Sequence, residues 1–136
     1  MPIGYSPKLP LFVSSDDGPY ALTKTHQEAV QQNFKNLILT SPGERIMDPR
    51  FGVGLRDFLF EQKTIVVESE IRERIGRQVS IYMPFVVVLK ILFLGSEKIP
   101  IDAYGMINND ENLLSLSIVY RIAPLQQEFL LPINVR

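Results

Sequence analysis

Glu44, Asp48 and Glu61 are the side chains of this sequence with the best claim to chemistry. Carboxylates serve a glycosidase when they stand roughly 5–9.5 Å apart and an apolar pocket keeps one of them protonated. Here each candidate sits among arginines, whose charge favours the ionised form, so the pattern offers no general acid. The single histidine, His26, falls in the first exposed turn of an expected helix and is expected to be solvated rather than catalytic or metal-bound. The glycines of Phe51-Gly52-Val53-Gly54 lack the lysine and Ser/Thr that complete a phosphate loop. Asn108-Asn109-Asp110-Glu111-Asn112 lacks the alternating ligand spacing of a calcium loop and reads as a hairpin turn. No catalytic residue, metal site or cofactor is expected.

The charged residues nevertheless lie in an unusual connector, Ser41–Glu61. Pro42-Gly43 is a turn signal, and Asp48-Pro49 breaks the chain again, because a residue before proline is driven out of the helical region. Gly52 and Gly54 punctuate the entry to a short apolar run, Leu55, Phe58, Leu59 and Phe60. Between the breakers stand Glu44, Arg45, Asp48 and Arg50, with Phe51 as an apolar anchor. A shaped loop carrying that much charge suits recognition better than linkage. Arg45 and Arg50 can fork onto carboxylates or carbonyls of a partner, or Asp48 and Glu44 can satisfy them internally.

Bulk properties narrow the classes further. A chain of 136 residues is expected to form one domain with a modest core. Lysine plus arginine number 14 against 15 acids, a net charge of −1 that gives no case for nucleic-acid binding. There is no cysteine, which removes disulfides, thiolate zinc sites and cysteine nucleophiles together and fits assembly in a reducing cytoplasm. No stretch approaches the roughly 20 apolar residues that cross a bilayer, and Met1–Leu11 has no signal-peptide layout. A secreted or membrane-spanning chain is not expected.

The elements that must position the connector follow from periodicity. Residues 1–22 are rich in proline and glycine and form a flexible arm: either a frayed terminus, or a segment that orders on a neighbour through Ile3, Tyr5, Leu9, Leu11, Phe12 and Val13. Residues 23–136 form the folded domain. Thr25-His26-Gln27-Glu28 is a capping box that opens a helix whose stripe is Val30, Phe34, Leu37 and Ile38. A short helix covers about Leu55–Glu61. Thr64 caps a third, running to about Tyr82, with Val67, Ile71, Ile75, Val79 and Tyr82 buried and Pro84 as its stop. Its Glu68–Arg72, Glu70–Arg74 and Glu73–Arg77 pairs mark a solvated face, each pair worth about 0.2–0.5 kcal/mol.

From Phe85 the period changes to two. Phe85–Leu94 is apolar on both faces apart from Lys90 and reads as a central strand covered by helices. A long connection, Gly95–Asn112, holds a possible extended piece around Ile99–Met106. Leu114–Ile122 alternates as a half-buried strand, and Phe129–Val135 as a last one, which Pro132 assigns to a sheet edge. That edge carries little lysine, which makes it a liability or a docking site by strand addition. The expected fold is α+β: three helices followed by a mainly antiparallel three-stranded sheet in a single domain.

The connector also resembles a known family. Asn36-Leu37-Ile38-Leu39-Thr40, Pro42-Gly43-Glu44-Arg45, Asp48-Pro49-Arg50-Phe51-Gly52 and Leu55 through Phe58-Leu59-Phe60-Glu61 are similar, in order and spacing, to the baseplate wedge proteins of contractile phage tails. Those proteins are relatives of the sheath-initiating baseplate subunit of type VI secretion. The likeness runs roughly from Val30 to the C-terminus, specific in the middle and architectural towards the end.

The resemblance implies a non-enzymatic structural subunit, present in several copies in a six-fold baseplate of a virion or tail-like particle, assembled in the bacterial cytoplasm. Its implied partners are wedge subunits and the tail sheath protein, whose assembly it starts by strand addition. The wedge-facing residues would be Arg45, Asp48, Arg50, Phe51, Tyr82, Met83, Pro84 and Phe85; the sheath-facing ones Phe129, Leu131, Ile133 and Val135. One departure is plain: relatives carry Glu-Pro-Arg where this chain has Met83-Pro84-Phe85, so Met83 and Phe85 either plug an apolar groove of a partner or fill the core. Two other classes stay in view, a tail-associated cell-wall hydrolase of lysozyme type and a free-standing adaptor domain.

Overall fold

A computed structural model describes residues 4–62, 64–93, 114–123 and 125–135. The order is α1 (His26–Leu39), a 3₁₀ helix η1 (Leu55–Phe60), α2 (Ile65–Tyr82), β1 (Val86–Phe93), β2 (Leu114–Ile122) and β3 (Glu128–Val135). This is the expected α+β arrangement, three helices and then a three-stranded antiparallel sheet in the order β1-β2-β3. The chain forms two compact units, Met1–Asn36 and Leu37–Arg136. The connection Gly95–Asn112, with the extended piece expected at Ile99–Met106, lies outside the described residues. No helix among the described residues is long and apolar enough to cross a membrane.

In the first unit, the segment before α1 folds back along itself. The Tyr5 N–H donates to the Thr23 carbonyl at 2.9 Å, and the Thr23 and Lys8 N–H groups donate to Ser6 and Ala21 at 2.8 Å each. The Gln32 amide closes the clasp, accepting from the Leu9 N–H and donating to the Pro7 carbonyl, both at 2.9 Å. At the start of α1 the capping box forms with a shift of one residue. The Thr25 hydroxyl accepts the Glu28 N–H as expected, but the Glu28 carboxylate reaches past Thr25 to the Lys24 N–H. His26 is exposed, with its ring edge-to-face on Tyr5 at 5.3 Å.

In the second unit, Thr64 caps α2 by accepting the Val67 N–H, a bond of a kind worth about 1 kcal/mol. Ile71, Ile75 and Val79 are buried, as their spacing requires. Glu70–Arg74 and Glu73–Arg77 pair along its exposed face, while Arg74 and Arg72 also overhang the Phe58 and Phe93 rings at 4.7 and 5.1 Å. α2 lies against β1, and η1 against β3. Register places Val86, Ile91 and Phe93 of β1 opposite Ile122, Ile118 and Leu116 of β2, the last two of which face Leu131 and Ile133 of β3. All of these are buried, forming one apolar face of the sheet.

β1 is not the central strand that its composition suggested. It is an edge of the described sheet, and β2 takes the middle. A β-bulge between Val88 and Lys90 explains the misleading pattern. Before the bulge the inward parity falls on Val86 and Val88; after it, on Ile91 and Phe93. The phase jump, together with the half-exposed Val87 and Leu89, makes a one-faced strand read as apolar on both sides. β3 is the other edge of the described sheet, where Pro132 costs the ladder least.

Glycine geometry supplies the first test. Gly52 has φ +113°, and a Cβ there would collide with the Thr40 carbonyl; Gly76, on exposed α2, has open space around it. Gly52→Ala should lose at least about 2 kcal/mol of unfolding free energy in urea, the scale of a forced left-handed residue plus a backbone clash. Gly76→Ala should gain about 0.5–1 kcal/mol from helix propensity alone. A Gly52→Ala protein as stable as the parent would mean that the loop is not pinned as described.

Candidate functional site

The connector between α1 and η1 is held from three directions. Its own turns come first: the Glu44 N–H donates to the Ser41 carbonyl at 3.1 Å, the Gly43 N–H to Pro49 at 2.8 Å, and the Phe51 N–H to Asp48 at 3.2 Å. Next, the returning strand of the loop fastens to the end of α1, the Val53 N–H donating to Leu37 at 3.1 Å and the Gly54 N–H to Thr40 at 2.9 Å. Helices leave their last carbonyls without intrahelical partners, so these amides act as a cap supplied from the loop. Third, Gln78 of α2 pairs both ways with the loop backbone: its Oε1 accepts the Gly52 N–H and its Nε2 donates to the Arg50 carbonyl, each at 3.0 Å.

A row of side chains completes the attachment. The Arg45 guanidinium stands 3.8 Å over the Phe51 ring. Phe51 meets Tyr82 edge-to-face at 4.8 Å, and the Tyr82 hydroxyl donates to Asp48 Oδ2 at 2.7 Å. The phenol pKa is raised, chiefly by that hydrogen bond, then by desolvation and by the Asp48 charge, with Arg50 and Arg45 pulling the other way. A raised pKa means the clasp is intact below the ordinary tyrosine range and is lost only as pH climbs through the raised value.

The acids of the loop thus already hold local hydrogen bonds. Glu44 Oε2 accepts the Ser41 N–H at 3.0 Å, and Asp48 is taken by Tyr82. Neither satisfies the arginines, so the internal pairing weighed for Arg45 and Arg50 is not what holds them: Arg45 rests on an aromatic ring, and Arg50 is exposed with no described carboxylate at ion-pair distance. Glu61 is exposed beyond η1. None of these carboxylates is buried in an apolar pocket.

The structure brings Arg45, Asp48, Phe51 and Tyr82 into direct contact, with Arg50 beside them. Met83 is buried in the core, whereas Pro84 is exposed and Phe85 is 41% exposed. Phe129 is half-buried against Tyr120 at 5.7 Å, and Leu131, Ile133 and Val135 are buried on the inner face of the sheet. Sequence reasoning missed Gln78, for which a lone amide in a charged helix gave no signal. It also missed Ile46 and Met47, 95% and 97% exposed at the loop tip. Their signal was available: two consecutive apolar residues between turn breakers have no core to enter.

The family model of the baseplate wedge protein gp25 matches residues 24–124, a span that covers the loop, the Gln78 and Tyr82 attachments, β1 and β2 but ends before β3. A comparison with curated proteins finds no match. Among solved structures, a chain of the six-fold symmetrised anti-feeding prophage baseplate is 28% identical, with a TM-score of 0.62 over 85% of this chain and 82% of that one. A protein of Geobacter sulfurreducens provisionally named a tail lysozyme has a TM-score of 0.65 over 85% of this chain and 94% of its own, at 20% identity, a likeness of fold alone. With three-quarters of its length inside the family pattern and the loop geometry built on the residues that carry it, the chain belongs to the baseplate wedge protein gp25 family, structural baseplate components of phage tails and tail-like contractile injection systems.

Proposed function

We propose that this chain joins the wedge of a contractile baseplate to the sheath and starts sheath assembly by strand addition along β3, without catalysing a reaction. The observation that carries the reading is the edge position of β3 in the described sheet. Leu131, Ile133 and Val135 are spent on the core, so what β3 has to offer a partner is its backbone. Backbone pairing is the currency of strand addition. A growing sheath needs such a template, because each new subunit must copy the contact below it. The wedge side is then the composite of the Arg45–Gly52 loop with Tyr82, Pro84 and Phe85. The exposed Leu9, Leu11, Phe12 and Val13 of the N-terminal segment suit an arm that orders on a neighbouring subunit.

Several copies in a six-fold assembly, put together in the bacterial cytoplasm, complete the reading; the similar chain of the anti-feeding prophage baseplate supports the symmetry. Against hydrolysis stand Glu44 and Asp48, both engaged by internal hydrogen bonds, and Glu61 in open solvent. The purified chain is therefore expected to release nothing from peptidoglycan at any pH from acid to neutral. Turnover that disappears in Glu44→Gln or Glu61→Gln would replace this reading with an enzymatic one.

Strand addition has its own test. Proline fits a ladder where its nitrogen faces away from the paired strand, so Pro132 marks the outward parity that Leu130 and Asn134 share. Asn134 is exposed and near the end of β3. Asn134→Pro is expected to fold, to enter baseplates, and to give tail tubes that lack sheath. Normally sheathed tails carrying the folded variant would rule out pairing along this edge.

A further inference from the structure

The tip of the connector carries two of the three most exposed large apolar side chains among the described residues. Ile46 and Met47 stand almost fully in water on a loop that α1, Gln78 and the Tyr82 clasp hold in one shape. Fixing two large apolar side chains in solvent gains nothing for the fold, since neither touches the core. Around them the charge is sorted. Asp48 is half-buried on the Tyr82 hydroxyl and the exposed Glu44 is held on the Ser41 N–H, while the Arg45 guanidinium lies over Phe51 and Arg50 is exposed. The result is an apolar knob flanked by two arginines whose neighbouring acids already hold hydrogen bonds.

We propose that Ile46 and Met47 form a plug that enters an apolar cleft of another baseplate subunit, a cleft rimmed by carboxylates that Arg45 and Arg50 engage. The proposal rests on the wedge-linking function above and names the chemistry of that contact. Charge complementarity selects the rim: planar guanidinium forks match carboxylates bidentately. The same loop of a second copy is a poorer match, since its own acids, exposed Glu44 and half-buried Asp48, each already hold a hydrogen bond. The apolar pair supplies the anchor, since buried side chains in a central pocket dominate interface energies. Rigidity of the loop reduces the ordering cost of docking. A single knob covers far less than the roughly 800 Å² per partner of a stable interface, so it works as one contact of a multivalent subunit.

The test uses the full chain in assembling particles. Met47 is replaced by the photo-crosslinker p-benzoylphenylalanine, baseplates are irradiated, and the adduct is mapped by mass spectrometry. The expected adduct lies on a baseplate subunit other than sheath, in a peptide carrying Asp or Glu. In parallel, Ile46→Ser with Met47→Ser should reduce incorporation by about tenfold, while the melting temperature of the isolated chain stays within a degree or two. Arg50→Glu should do the same, and exchanging the mapped carboxylate for lysine should restore it. An adduct on sheath or on a second copy of this chain overturns the plug. So does cosedimentation with phosphatidylserine vesicles that Met47→Ser abolishes, which would make the tip a membrane contact. Full incorporation of the double serine variant overturns the plug and leaves the structural role standing. Absence of the unmodified chain from purified baseplates overturns the wedge-linking function, and the plug with it.

Discussion

The carbonyls at the end of α1 need donors, and the loop brings them. α1 has no basic residue in its last turn to meet its final carbonyls. Val53 and Gly54 supply backbone N–H groups to Leu37 and Thr40 instead. That arrangement demands that the returning chain pass within contact of the helix end, which excludes a side chain at position 52, where a Cβ would strike the Thr40 carbonyl. Glycine at this position is a requirement of the capping geometry. Everything between Ser41 and Gly52 is consequently a closed excursion with both ends tied to one helix terminus.

Closing the excursion at its base does not orient its tip; α2 does. Gln78 meets the loop backbone with a donor and an acceptor at once, so the bond pair fixes direction as well as distance. One turn further along α2, Tyr82 adds the hydrogen bond to Asp48 and the edge contact with Phe51. The next residues then carry that position into the sheet. Met83 is buried and donates to Val79, Val86 donates to Met83, and the Phe85 carbonyl accepts from Ala123 at the end of β2. Loop and sheet are therefore joined through a handful of consecutive residues. A partner gripping the loop and a partner pairing with the sheet would act on one rigid body rather than on two tethered ones.

Much of this was legible in the sequence because it depends on local rules. Thr25, Thr64 and Pro84 mark helix ends by satisfying or removing backbone donors, and each lies where its chemistry put it. The period-two stretches gave β2 and β3 for the same reason. What failed was non-local. The bulge at Leu89 is invisible to an alternation count, since it erases the very signal being counted, and it turned an edge strand into an apparent central one. Gln78 and Tyr82 earn their roles from residues 26 to 34 positions away, and no periodicity reports that. Internal pairing with Asp48 and Glu44 was one of two readings open for the arginines, because opposite charges lie close in sequence. The acids found backbone and phenol donors first, and an aromatic ring took Arg45.

The two edges of the sheet are not equivalent, and the difference bears on which one can recruit a partner. β1 carries the bulge and an exposed lysine, Lys90, beside it. Bulges and lysines are the usual devices that spoil an edge as a template, the first by bending it and breaking the hydrogen-bond spacing, the second by forcing a charge into any new interface. β3 has no lysine and an unbroken register against β2 from Glu128 to Val135. Its one irregular residue is Pro132, which removes a single donor and leaves its carbonyl available. A strand arriving at β1 would meet a kinked ladder, whereas one arriving at β3 would meet a straight ladder short of one amide. The bulge that misled the sequence reading thus leaves β3 as the better template of the two, while keeping the buried face of β1 in register with the core.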